Sequence, residues 1–237
     1  MEEIIASGLK ELDLLGQVPA EAPDQLAEYG RFLLEQNQVM NLTAIRDEAG
    51  VARLHMLDCA ALLLQADFRD KTLIDVGTGA GFPGLVLKIL VPSLQVTLLD
   101  SLGKRVDWLA RTAERLGLEG VTALHARAEE QALEKGFRDS FDYAAARAVA
   151  DLRLLCELCL PYVRPGGRFL AMKSVDSGPE LSGAAHAIKL LGGRAEPPFD
   201  YTIPGTQVTH RMIPIQKLAP TLKGYPRRWA RIQKEPL

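Results

Sequence analysis

Thr72-Leu-Ile-Asp-Val-Gly-Thr-Gly-Ala-Gly-Phe-Pro-Gly84 decides the fold of this 237-residue chain. Its first five residues form a short apolar run, the pattern of a strand buried on both faces. Gly77, Gly79 and Gly81 then alternate directly off that strand. Glycine permits positive φ and lets a ligand approach the backbone. Pro83 to Val91 reads as a helix, with Pro83 suited to its first position. The loop amides and the helix N-terminus together make a site for an anion. The next strand, Gln95 to Asp100, ends in a carboxylate. Ligands of open α/β sheets sit at the carboxyl ends of strands. There Asp100 can accept hydrogen bonds from both hydroxyls of a ribose, and Asp75 is a candidate acceptor for a ligand ammonium.

The pattern on either side agrees. Up to about Asp67 it is helical: Leu26, Tyr29, Leu33 and Leu34 share a face over Asp24 to Gln38, and Leu54, Leu57, Leu62 and Leu64 follow over Val51 to Gln65. Beyond the loop, Gly103 to Leu116 is an amphipathic helix stopped by Gly117. Strands are expected at Val121 to His125 and Phe141 to Arg147, with a helix from Asp151 to Val163. A strand from Arg168 to Lys173 is entered through a Pro165-Gly-Gly167 turn, and a helix runs from Pro179 to Leu191. Glu196 to Ile203 and His210 to Lys217 form a hairpin across Pro204-Gly205. Strand alternating with helix gives an α/β fold: a mostly parallel seven-stranded sheet, covered on both faces, closed by an antiparallel hairpin. Three segments are expected: a helical extension over 1–67, the α/β domain over 68–218 and a basic tail over 219–237.

Composition narrows the class. Charged residues make up 24% and the net charge is −2, so overall charge announces no polyanionic partner. The last fifteen residues differ, with Lys223, Arg227, Arg228, Arg231 and Lys234 against Glu235 alone. That surplus suits either phosphate contact or a solvated tail. No apolar run is long enough to span a bilayer, and no signal-peptide pattern opens the chain. Cys59, Cys156 and Cys159 do not describe a disulfide framework, so a reducing cytoplasm is expected. Cys156-Glu-Leu-Cys159 lies within a predicted helix and lacks the second Cys pair of a tetrahedral site; buried packing is expected, with no metal.

A dinucleotide oxidoreductase competes, because Gly79-Ala-Gly-Phe-Pro-Gly84 matches G-x-G-x-x-G and Asp100 falls at the right distance. Against it, the glycine run begins earlier, at Gly77, and no substantial second domain follows. A non-catalytic RNA-binding protein on a decayed scaffold is a further alternative, opposed by the complete loop and Asp100.

Asp75 to Gly84 and Leu99-Asp-Ser-Leu-Gly-Lys-Arg105 resemble the bacterial 16S rRNA guanine-N7 methyltransferase G family, also called the glucose-inhibited division protein B family. Asn41-Leu-Thr-Ala-Ile45, His55-Met-Leu-Asp58, Arg147-Ala-Val-Ala150, Met172-Lys173, Tyr225-Pro-Arg-Arg228 and Lys234-Glu-Pro-Leu237 extend the resemblance over roughly residues 30 to 237. Leu54 before His55, Cys59 after Asp58, and Trp229-Ala-Arg231 in the tail depart from the family pattern.

The resemblance implies a class I S-adenosylmethionine-dependent methyltransferase with a Rossmann-like fold and an N-terminal helical extension. It implies S-adenosyl-L-methionine contacts at Gly77, Gly79, Phe82, Asp100, Ser101, Ala128, Glu129 and Arg147, with Arg147 orienting the substrate. RNA contacts are expected from His55, Lys104, Arg105, Lys173, Arg227 and Arg228, with Arg46 and Arg53 as further candidates. The implied partner is 16S rRNA in the small ribosomal subunit, the protein acting as a cytoplasmic monomer. His125, His186 and His210 are scattered without metal-ligand spacing and receive no role.

Overall fold

A computed structural model describes residues 1–147 and 150–237. The middle of the Arg147-Ala-Val-Ala150 motif, residues 148 and 149, lies outside the described residues.

Five parallel strands form the centre of the sheet: β1 (Thr72–Val76), β2 (Gln95–Asp100), β3 (Val121–His125), β4 (Phe141–Arg147) and β5 (Val163–Ser174). Their order is β3-β2-β1-β4-β5. The chain reverses direction across the sheet at β1, so a crevice opens there between β1 and β4 at the carboxyl ends. An antiparallel edge follows. β8 (Thr209–Lys217) pairs with β5 on one side, and with both β6 (Gly193–Ala195) and β7 (Phe199–Thr202) on the other.

The sheet alternates its side chains between two cores. Leu73, Val96, Leu98 and Leu170 face one, while Ile74, Val76, Leu99 and Phe169 face the other. The first core is covered by α1 (Glu2–Glu11), α2 (Ala22–Met40), α5 (Gly84–Leu90) and α6 (Gly103–Arg115). A continuous helical rod also lies on this side. It starts as α3 (Glu48–Val51), widens into a π-helical stretch (Ala52–Leu57), and continues through α4 (Asp58–Ala60) to a 3-10 turn (Ala61–Leu64). The second core is covered by α8 (Leu152–Cys159) and α10 (Ala185–Leu190), with α7 (Ala128–Gln131) and α9 (Gly178–Gly183) at its rim. Cys59, Cys156 and Cys159 are buried free thiols, and burial pushes the pKa of each upward.

Several expected boundaries shift for local reasons. β6 was not anticipated, and β7 begins at Phe199 because Pro197-Pro198 removes two ladder donors. β5 starts at Val163, so Pro165-Gly-Gly167 is an irregularity within the strand rather than a turn before it. The helix expected over Pro179 to Leu191 breaks between Gly183 and Ala185. Pro83 caps α5 instead of opening it.

The basic tail is docked. α11 (Trp229–Lys234) buries Ile232 in the second core. Arg138 donates to the carbonyls of Thr221, Leu222 and Tyr225 at 2.9, 3.1 and 2.7 Å. The buried Lys217 Nζ donates to Leu160 O and Thr221 Oγ1, each at 2.6 Å. Arg227 corrects the expectation of a phosphate contact. Its Nε and Nη2 donate to the carboxylate of buried Glu157 at 2.8 and 2.7 Å, and its backbone amide joins them at 2.8 Å. Removing one partner of such a pair strands the other, so Glu157→Ala is expected to lower unfolding free energy by about 3 kcal/mol. Urea denaturation checks this; an unchanged midpoint would contradict it.

Candidate active site

The glycine loop turns sharply because the ladder continues into it: the amides of Gly77 and Thr78 donate to Leu99 O at 2.8 and 3.1 Å. A Cβ on Gly81 would come within 2.6 Å of both Leu85 Cδ1 and the Tyr29 hydroxyl. At Gly79, φ is +59°, and an added Cβ would approach nothing nearer than 3.9 Å, so this residue faces open space. Gly79 N donates to Asp100 Oδ2 at 3.0 Å, and Leu102 N donates to Oδ1 at 2.9 Å. The carboxylate of Asp100 is thereby fixed at the end of β2 with lone pairs to spare.

Asp75 behaves differently from the expectation of a ligand contact. It is fully buried beneath the loop and does not line the crevice. Its Oδ2 accepts from Thr78 Oγ1 at 2.6 Å and Gly84 N at 2.8 Å, bracing the turn. Burial pushes its carboxyl up to about 6.

Two adjoining cavities share Gly77, Asp100 and Ser101. The smaller, about 270 Å³, has Val76, Leu99, Leu158 and Ala128 as apolar walls and Glu129 at its edge. The larger, about 720 Å³, runs past Gly79 and Phe82 to His55, Asp58, Arg147, Lys173 and His210. The proposed ribose carboxylate therefore stands where the two meet. A flat base on one side and a polar amino-acid group on the other match this division, so the residues present fit S-adenosyl-L-methionine.

A charged cluster closes the larger cavity. Arg147, at the end of β4, donates through Nη1 to Leu54 O at 3.1 Å and Asp58 Oδ2 at 3.2 Å. Its Nη2 lies 3.0 Å from His55 Nδ1. The same Nδ1 lies 3.0 Å from Leu54 O, and Nε2 lies 2.7 Å from Thr43 Oγ1. Phe82 is nearly buried between His55, stacked at 4.5 Å between ring centroids, and Arg147, 4.8 Å above its ring. Asp58 Oδ1 accepts from the Tyr201 hydroxyl and His210 Nδ1, both at 2.8 Å. Burial opposes ionisation of Asp58, but the His210 hydrogen bond and the Arg147 charge prevail and hold its carboxyl below the usual range. His210 gains from the same bond, and its pKa rises despite partial burial.

The remaining expected residues separate. Arg105 lines the larger cavity, with Nη1 3.6 Å from Asp100 Oδ2. Lys173 also lines it, but its Nζ is held by Ala150 O at 3.0 Å and Glu180 Oε2 at 2.6 Å. Lys104 is exposed on α6 outside both cavities, and Arg228 is exposed on the groove beyond the smaller one. Sequence reasoning missed His210, Tyr201 and Trp229. His210 reaches Asp58 across 152 positions, and no local spacing announces that.

Burial first, and the Arg147 charge second, lower the His55 pKa to about 4. A base with a depressed folded pKa contributes stability above its unfolded value near 6.5, and loses it as pH falls toward the folded value. Between pH 7.5 and 5, wild-type unfolding free energy is expected to drop about 2 kcal/mol more than that of His55→Asn. Equal slopes in urea titrations at the two pH values would refute this.

Residues 23–197 match the family described as rRNA small subunit methyltransferase G. The chain belongs to that family. A ribosomal RNA small subunit methyltransferase G from Alkaliphilus metalliredigens is 41% identical over 99% of this chain and 98% of its own length. Another, from Exiguobacterium sibiricum, is 44% identical over 90% of each. At the level of fold, an Aquifex aeolicus SAM-dependent methyltransferase superposes with a TM-score of 0.53 at 16% identity, covering 74% of this chain and 96% of that one. A predicted O-methyltransferase from Agrobacterium tumefaciens gives 0.53 at 17% identity over 69% and 80%. The class I fold and the S-adenosyl-L-methionine cofactor follow, and the dinucleotide-oxidoreductase and decayed-scaffold alternatives fall away. Among the described residues, no helix is long and apolar enough to cross a membrane.

Proposed function

We propose that this chain methylates N7 of a guanine in 16S rRNA, in the decoding region of the small ribosomal subunit, using S-adenosyl-L-methionine. The observation that carries the reading is Asp100 at the junction of two cavities, with the Arg147 cluster closing the larger one. Asp100 takes the ribose hydroxyls, Gly77, Gly79 and Ser101 flank the sugar and amino-acid end, and Ala128 and Glu129 border the base. The protein works as a cytoplasmic monomer, with residues 1–67 as helical extension, 68–218 as methyltransferase domain and 219–237 as tail.

Held by Asp100 and the glycine loop, the cofactor would supply a methyl group activated on a sulfonium, for direct transfer to the guanine N7 lone pair with the neutral thioether as leaving group. N7 carries no proton, so the reaction requires no general base. The protein's contribution is proximity and orientation, worth about 7 kcal/mol or more. Guanine presents O6 and N7 as acceptors on its Hoogsteen edge. Arg147 orients the base from the O6 side, leaving the N7 lone pair free, and the Asp58 carboxylate paired with it offsets its charge where the methylated ring becomes positive. The N7 edge is hidden in the deep groove of A-form RNA, so an unpaired or splayed guanine is the substrate. Arg105, Lys104 and Arg228 supply phosphate contacts.

The test is transfer of labelled methyl to small-subunit rRNA, followed by mapping of the modified base. Label at N7 of a guanine in the decoding region is expected. Label on another atom or RNA, or none, would overturn the proposal.

A further inference from the structure

The smaller cavity has a wall that neither the glycine loop nor the strand ends provide. Trp229, the first residue of α11, lines it together with Ala128, Glu129 and Leu158. Among the described residues around that cavity, Trp229 is the one aromatic side chain. Its position is fixed from both sides along the chain. Two residues earlier, Arg227 is clamped on Glu157, and three residues later Ile232 is buried in the core. The ring is also held directly: the Arg127 guanidinium lies 5.4 Å from its centroid, and Arg127 Nε is anchored on Glu129 Oε1 at 3.0 Å. A rigidly mounted indole beside an apolar slot is a surface for a flat π-system.

We propose that Trp229 forms part of the adenine site, so that the C-terminal helix closes the cofactor cavity with its indole against the nucleobase of S-adenosyl-L-methionine. This rests on the cofactor reading above. It reassigns part of the tail from RNA to cofactor: Arg227 mounts the helix, Trp229 meets the base, and Arg228 stays exposed on the outer groove. It also ties cofactor binding to the docking of the chain end, because the cavity lacks this wall when α11 detaches.

The full-length protein and S-adenosylhomocysteine provide the test. Loss of an aromatic–base stack weakens binding, so calorimetry is expected to show Trp229→Ala binding about tenfold more weakly. Trp229→Phe keeps a stacking ring and is expected to stay within about threefold. Fluorescence separates contact from mere support of the fold. The other tryptophan, Trp108, is fully buried against the N-terminal helices. Ligand addition is expected to change wild-type emission saturably, and to leave Trp229→Phe emission unchanged while calorimetry still records binding. A wild-type Kd in Trp229→Ala, or a full emission change in Trp229→Phe, would overturn the inference. So would a Trp229→Ala protein with normal ligand affinity and weakened RNA affinity, which would assign the ring to RNA. Failure of the wild type to bind the ligand would instead overturn the cofactor reading itself.

Discussion

Arg147→Ala is expected to reduce methyl transfer at least about 100-fold, the loss typical of reacting groups misplaced by an ångström. Arg147 reaches from the end of β4 to the rod bearing His55 and Asp58, and packs its guanidinium over Phe82. Alanine removes the guanidinium that the proposal sets beside the guanine and unlocks the rings that shape the cavity. It also leaves Asp58, 1% exposed, with His210 and Tyr201 as remaining partners. Breaking a buried pair in this way costs about 3 kcal/mol, so the urea midpoint falls as well. Arg147→Lys separates the two effects. Its charge still faces Asp58, restoring much of the stability, but an ammonium cannot reproduce the planar fork, so activity stays low. Single-turnover methylation of small-subunit particles measures the first effect. An Arg147→Ala rate within threefold of wild type would exclude the orienting role.

Asp100→Ala is expected to weaken S-adenosylhomocysteine binding about 100-fold. Two hydrogen bonds to a charged group are worth about 3 kcal/mol together, and each 1.4 kcal/mol is a factor of ten. The carboxylate is also the acceptor for the Gly79 amide, so alanine loosens the loop at the residue facing the cavity. Asp100→Asn keeps the shape and one acceptor, and is expected to lose about tenfold. Calorimetry ranks the three proteins. An Asp100→Ala Kd within threefold of wild type would remove Asp100 from the ribose site.

The glycine run and Asp100 were legible in the sequence because their geometry is local. Strand, turn and next strand lie within thirty residues, and the backbone itself makes the site. The two-core sandwich was equally legible, since Leu73 and Ile74, or Leu98 and Leu99, are apolar in alternating directions. The cluster around Asp58 was not. It joins the helical rod, β4, β7 and β8, and nothing near His210 in sequence tells of a carboxylate 152 positions away. The tail misled for a related reason. A charge count sees five cations, but not that Glu157 lies buried within reach of Arg227. Asp75 misled in the opposite direction: its place in the loop suggested a ligand, whereas its neighbours Thr78 and Gly84 use it to brace the turn.

The widened turn at Ala52–Leu57 packs on α1 and sits between α3, which packs on α2, and the part of the rod carrying Asp58. An ordinary helix advances 100° per residue. The widened turn takes up one extra residue; were the rod to regularise with that residue kept, everything beyond it would swing by about that angle, turning Asp58 away from Arg147. A chain of the same length with a more regular helix would then be the worse enzyme. The irregular turn acts as a phase adjuster: it lets one helix satisfy the packing of its first half and the aim of its second.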